Sequence, residues 1–126
     1  MKFRSPLKNA RGLGSANEGL SHWWLQRISA VALIPLCLWF VYSLLAIFAA
    51  PYGAVISWFG SPLNSSLMLL FVLVSLYHGQ TGIQVVIEDY IHTKSVSMTL
   101  LLLVKGGSLL LAVVSVVSIL KVAIGG

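Results

Sequence analysis

The sequence predicts an all-α integral membrane protein with three transmembrane helices. Apolar residues make up 58% of its 126 residues and charged residues only 9%, and the mean hydropathy is +0.95. Soluble domains carry about 25% charged residues, so this chain has too few charges to cover a globular surface. The composition therefore excludes a soluble enzyme, a nucleic-acid-binding module and a disordered tail, and makes the lipid bilayer the expected solvent.

Three apolar runs are long enough to span a bilayer, at about residues 27–50, 63–88 and 96–124. The first contains 23 consecutive uncharged residues, Ile28 to Ala50. A helix of this length covers the hydrocarbon layer, which is roughly 30 Å thick. Pro51 is expected to end the first span and Ser61-Pro62 to begin the second. Because backbone groups in lipid must pair within their own segment, each span is expected to be a helix.

The basic residues predict how the chain is oriented in the membrane. Four of them precede the first span, the loop over residues 51–64 has none, and Lys94 lies in the second connection. The positive-inside rule then places the amino terminus in the cytoplasm and the carboxyl terminus outside. Residues 1–22 are interpreted as a cytoplasmic tail or interfacial segment, and residues 23–126 as the transmembrane anchor.

His78 is the most informative polar residue, because it falls near the middle of the second span. Ionisable residues at this depth are functional-site candidates by default. Ser75, Gly79 and Gly82 lie beside it on the helix and leave room for a flat macrocycle or for a second helix. Three interpretations stay open on physical grounds: a haem ligand, a hydrogen-bonded packing histidine, and a proton relay.

The other candidate ligands lie elsewhere in the chain. His22 and His92 fall at the cytoplasmic interface, away from the depth of His78. A six-coordinate b-type haem at His78 would therefore need its second axial ligand from another chain. Cys37 is the single cysteine, which excludes an internal disulfide, and it is expected to be a buried apolar residue.

A polar cluster is predicted at the inner interface, where the first span begins and the second ends. Arg27 and the Glu88-Asp89-Tyr90 segment fall at one depth, so Arg27 is expected to pair with Asp89 or Glu88. Such a cluster suits a lipophilic ligand with a polar head, such as a quinone. The alternative is an interfacial salt bridge beside an aromatic-belt tyrosine. Lys105, inside the third span, either reaches the interface or meets an anionic group such as a haem propionate.

Two stretches of the chain contain motifs that together are specific. The first comprises RGLGSA, from Arg11, and HWWLQRISA, from His22. The second is YHGQTGIQVVIEDYIH, from Tyr77 to His92. It contains a histidine, a glycine four residues later, and Asp-Tyr eleven and twelve residues later. These motifs resemble the small hydrophobic membrane-anchor subunit of bacterial succinate dehydrogenase. Together with the length, the three spans and the expected orientation, the resemblance covers essentially the whole chain.

The resemblance implies a subunit of respiratory complex II. The flavoprotein subunit, with FAD, and the iron–sulfur subunit, with its clusters, would then oxidise succinate, while two small membrane subunits form a haem b site and a ubiquinone site. It implies that His78 is an axial ligand of the haem iron, shared with the cytochrome b-type membrane subunit. It also implies that Tyr90 hydrogen-bonds a ubiquinone carbonyl, with Asp89 and Arg27 near that pocket.

The sequence itself supports the expectation that FAD and the iron–sulfur clusters are bound by other subunits. It has no dinucleotide-binding glycine motif and no cysteine set for iron–sulfur clusters, so no complete active site is expected on this chain alone. The expected location is the bacterial inner membrane, or the mitochondrial inner membrane in a eukaryote. The alternatives are a small pore-forming, holin-like protein and a structural anchor without cofactors.

Overall fold

The structure is a computed structural model that describes residues 14–125, with side chains described from residue 20 onward. This part of the chain is entirely helical, as the sequence predicts, and contains no strand. Its four helices are α1 (Gly14–Ile47), α2 (Tyr52–Gly60), α3 (Pro62–Tyr90) and α4 (Lys94–Gly125). Three segments are long and apolar enough to cross a membrane: Leu20–Ile47, Pro62–Tyr90 and Lys94–Gly125.

Helix α1 runs further toward the amino terminus than the first apolar run. It begins at Gly14 and continues without a break through residue 22, where the sequence analysis divides tail from anchor; residues 1–13 lie outside the described part. It ends at Ile47, a few residues before the expected end at Ala50. Proline disfavours the helical conformation of the residue that precedes it, so Pro51 forces the chain out of the helix at this point.

Helix α2 is an element that the sequence analysis did not predict, because its residues were assigned to the first loop. The Trp58 ring stacks on Trp39 of α1 at a centroid distance of 5.7 Å. The backbone carbonyl of Trp58 accepts a hydrogen bond from Asn64 Nδ2 of α3 at 3.1 Å. The connection between the first two spans is therefore a short helix that contacts α1 through the Trp58 ring and α3 through the Trp58 carbonyl.

Helix α3 is the central helix, since it contacts α1 on one side and α4 on another. Very little apolar surface is enclosed: among the described residues the buried apolar side chains are Ile87 and Ile119. The buried polar residues are three serines of α1 and α3, namely Ser29, Ser43 and Ser65. Small hydroxyl residues at a helix contact allow close approach in lipid, where association does not depend on burying apolar side chains from water.

Helix α4 contains two adjacent glycines that no other described helix covers. A side chain built at Gly106 or at Gly107 would meet no atom within 4 Å, and Lys105 beside them is exposed. The surface at these two glycines is therefore uncovered within the described chain. The membrane orientation of the helices stays a prediction.

Candidate functional site

The imidazole of His78 is directed at α1, where it meets a buried serine. His78 Nδ1 lies 3.0 Å from Ser29 Oγ, and Ser29 Oγ donates a hydrogen bond to the backbone carbonyl of Gln26 at 2.9 Å. Ser29 is only 7% exposed, whereas His78 is half-buried. The histidine therefore belongs to the contact between two helices and also keeps one side at the surface of the chain.

His78 also lines an apolar groove that opens on the surface of α1. The groove has a volume of about 470 Å³, and its other lining residues recur at helical spacing along α1: Ala30, Leu33, Ile34, Cys37, Leu38 and Val41. The expectation that Cys37 is buried is wrong, because its side chain is exposed and forms part of this wall. The same set of residues thus presents an open, apolar surface next to one imidazole.

The two glycines near His78 have different surroundings. A side chain at Gly79 would meet nothing within 4 Å, so the space beside the histidine is open on that side. At Gly82 the nearest atom to such a side chain is Gln26 Nε2, at 4.0 Å. Gly82 therefore lies where α1 and α3 approach each other, while Gly79 leaves room for a bulky group.

A second polar pair joins the helices one turn from the first. Thr81 Oγ1 donates a hydrogen bond to Gln26 Oε1, and it also lies 3.0 Å from the backbone carbonyls of Tyr77 and His78. We name the two interhelical pairs, Gln26–Thr81 and Ser29–His78, the polar seam. Among these residues the sequence analysis had assigned a site role to His78 alone.

Beyond the polar seam, a cleft separates the two helices toward the start of α1 and the end of α3. Its volume is about 420 Å³, and its lining includes three amide or hydroxyl side chains and two titratable ones. The lining residues are His22, Trp23, Gln26, Thr81, Gln84, Val85 and Glu88. A cavity with so many hydrogen-bonding groups can hold water or the polar head of an amphiphile.

The three residues predicted to contact a quinone lie outside this cleft lining. Arg27, Asp89 and Tyr90 are exposed, and Tyr90 is the last residue of α3. The expected pairing of Arg27 with Asp89 or Glu88 is wrong: the guanidinium instead lies over the Trp23 ring, 4.8 Å from its centroid. The physical reason is rotation about the helix axis. Gln26 faces α3, and the next residue is turned about 100° away from it.

A metal bound to this chain alone would find few ligands. Within the described residues, no three or more histidine, cysteine, aspartate or glutamate side chains lie together in a possible metal-binding group. Together, the fold and the site define a membrane-spanning helical subunit with one imidazole at a helix contact and most large apolar side chains exposed. Such surfaces are suited to lipid and to other membrane helices.

Comparison with known proteins identifies the family. Residues 1–117 match the family described as succinate dehydrogenase/fumarate reductase transmembrane subunit. A succinate dehydrogenase hydrophobic membrane anchor subunit of Rickettsia bellii is 39% identical over 117 residues, 93% of this chain and 94% of the relative. The corresponding subunit of Paracoccus denitrificans is 36% identical over 71% of this chain and 70% of the relative. No solved structure matches the chain.

The chain belongs to the succinate dehydrogenase/fumarate reductase transmembrane subunit family. It is thus a membrane-anchor subunit of an enzyme complex, in agreement with the resemblance seen in the sequence. This family membership argues against the alternative of a small pore-forming, holin-like protein.

Proposed function

We propose that this chain is a membrane-anchor subunit of succinate:ubiquinone oxidoreductase in which His78 would hold the iron of a haem b. The observation that carries the proposal is the placement of His78, which is fixed by Ser29 on one side and lines an apolar groove on the other. In this role the chain tethers the flavoprotein and iron–sulfur subunits to the bacterial inner membrane. A second ligand would come from the cytochrome b-type membrane subunit.

The chemistry of the described residues fits a haem. Neutral imidazole is a common haem ligand, and a bound haem b supplies one-electron transfer through its iron. The apolar wall from Ala30 to Val41 can cover a hydrophobic macrocycle, and the open position at Gly79 leaves space beside the ring. The residues of this chain hold one side of the group, and the described part offers no cluster of further ligands.

The quinone part of the proposal rests on Tyr90, the last residue of α3, with Asp89 beside it in the chain and Arg27 on α1. Tyr90 is 76% exposed, so its phenol is free to donate a hydrogen bond to a quinone carbonyl in a pocket completed by partner subunits. Asp89 is its neighbour in the chain and can accept a proton or orient the phenol. Arg27 supplies a positive charge at the membrane edge, where a partly reduced, anionic quinone is stabilised.

A reduced-minus-oxidised spectrum of the purified complex tests the haem ligand. His78→Ala is expected to abolish the b-type absorption band, because the variant has no nitrogen donor at this position. The matched control is His92→Ala, which removes an exposed histidine after the end of α3 and is expected to leave the band intact. A wild-type complex without a b-type band would refute the haem assignment and favour a structural anchor without cofactors.

Parallel assays of quinone reduction and dye-linked succinate oxidation test the quinone contact. Tyr90→Phe is expected to impair quinone reduction while dye-linked succinate oxidation persists, since only the hydroxyl that meets the quinone is lost. Tyr52→Phe is the matched control, because Tyr52 is 78% exposed but lies at the opposite end of the bundle, on α2. Equal loss of both activities in Tyr90→Phe would indicate failed assembly and contradict the proposed contact.

A further inference from the structure

The hydrogen bonds around Ser29 determine which nitrogen of His78 carries the proton. A serine hydroxyl has one hydrogen to donate and two lone pairs to accept with. Ser29 Oγ lies 2.9 Å from the Gln26 carbonyl oxygen, which can only accept, and 3.0 Å from His78 Nδ1. Both contacts are hydrogen bonds only if the hydroxyl donates to the carbonyl and Nδ1–H donates to the hydroxyl. In the Nε2–H tautomer, Nδ1 has no hydrogen and can only accept. The single hydroxyl hydrogen of Ser29 then bonds either Nδ1 or the Gln26 carbonyl, and the remaining contact is not a hydrogen bond.

We infer that Ser29 is a positioning residue that holds His78 in the Nδ1–H tautomer, with the lone pair on Nε2. The haem part of this inference rests on the proposed function, whereas the tautomer itself follows from the contacts of this chain. Ser29 is 7% exposed, so water does not compete freely for its hydroxyl. Gln26 fixes the arrangement, because its carbonyl holds Ser29 and its side chain accepts from Thr81 on α3.

This tautomer prepares the histidine to bind a metal. The groove that His78 lines offers no polar side chain that could donate to Nε2, since its other lining residues are apolar or, at Cys37, a thiol. An unsatisfied acceptor in apolar surroundings is unfavourable, and a metal ion satisfies it. A hydrogen bond to the second nitrogen also fixes the orientation of the ring toward a metal. Loss of such a partner typically lowers metal affinity or activity about 10- to 100-fold.

Three variants separate this role from ordinary packing. Ser29→Ala removes the hydroxyl, and Ser29→Thr restores a hydroxyl at the same position. Ser43→Ala is the matched control: Ser43 lies on the same helix and is 6% exposed, but the hydroxyl that meets His78 is that of Ser29. Each variant is expressed as the full chain within the assembled complex.

Two measurements are made on these complexes. The first is ¹⁵N NMR of ¹⁵N-histidine-labelled complex from haem-starved cells, with the residue 78 signals identified by subtracting the His78→Gln spectrum. The wild type, Ser29→Thr and Ser43→Ala are expected to show protonated Nδ1, and Ser29→Ala a mixture of tautomers. The second is haem occupancy at limiting haem, where Ser29→Ala is expected to need about 10- to 100-fold more haem for half-saturation.

The outcomes distinguish the inference from the proposed function. Protonated Nε2 at His78 in the wild type, or an unchanged tautomer and haem occupancy in Ser29→Ala, would overturn the role of Ser29. An equal loss in Ser43→Ala would also overturn it, because the effect would then belong to any buried hydroxyl of α1. A wild-type complex with protonated Nδ1 that never takes up haem supports the Ser29 contact and refutes the proposed haem ligand.

Discussion

The hydrogen bond between Thr81 and Gln26 gives a quantitative test of how α1 and α3 are held together. Thr81→Val removes the hydroxyl that reaches Gln26 and keeps the shape of the side chain. Interhelical side-chain hydrogen bonds in membranes contribute about 0.6 kcal/mol on average and at most about 1.7 kcal/mol. We expect a value within this range and toward its lower end, because the Gln26 amide lines the open cleft and can turn to water when Thr81 is lost.

A double-mutant cycle with Thr81→Val and Gln26→Leu isolates the contribution of this hydrogen bond to the free energy of unfolding. The assay is reversible unfolding of the full chain in mixed micelles, and the expected coupling of about 0.6 kcal/mol corresponds to about a 3-fold change in the unfolding equilibrium constant. Thr99→Val is the control, because Thr99 Oγ1 donates to the carbonyl four residues earlier, the same local contact that Thr81 makes to Tyr77. A coupling of zero, or equal costs for Thr81→Val and Thr99→Val, would refute the interhelical contribution.

Two further predictions concern the surroundings of His78. Gly79→Leu is expected to leave the helices of this chain intact but to lower the haem content measured by absorption, because the added side chain would fill open space next to the proposed haem ligand. Gly107→Leu, equally open but on α4, is expected to keep the haem. Cys37 is expected to react with a membrane-permeant maleimide in the chain alone and to be protected in the haem-loaded complex, as measured by mass spectrometry. Labelling at equal rates in both preparations would contradict the position of the haem in this groove.

The three long helices could be predicted from the sequence because a single physical constraint decides them. Long runs without charge must enter lipid, and the backbone of such a run must form its own hydrogen bonds. This constraint does not predict that residues 52–60 form helix α2. Its aromatic residues are equally typical of an irregular loop at the membrane interface, and the stacking of Trp58 on Trp39 depends on how the chain folds back.

The candidate site could be predicted only in part, because depth in the membrane does not fix direction around a helix. The depth of His78 follows from the sequence, but its partner Ser29 is 49 residues away and depends on the register of two helices. A signal was present: two polar residues three apart on α1, Gln26 and Ser29, face two polar residues three apart on α3, His78 and Thr81. The expected pairing of Arg27 with Asp89 used depth alone, and for that reason it was wrong.

The uneven distribution of contacts between α1 and α3 explains how a chain with few buried apolar side chains can still fix the direction of the His78 imidazole. At one end the helices are joined by the polar seam, and farther along by the stacked rings of Phe40 and Phe71, 4.5 Å apart. In lipid, apolar side chains alone leave a helix free to turn about its axis, since every face is equally soluble. Hydrogen bonds restrict this rotation, because a small turn of the helix about its axis breaks each of them. The contacts that hold α1 against α3 therefore also set the direction of His78, and removing one of them should turn the ring before it separates the helices.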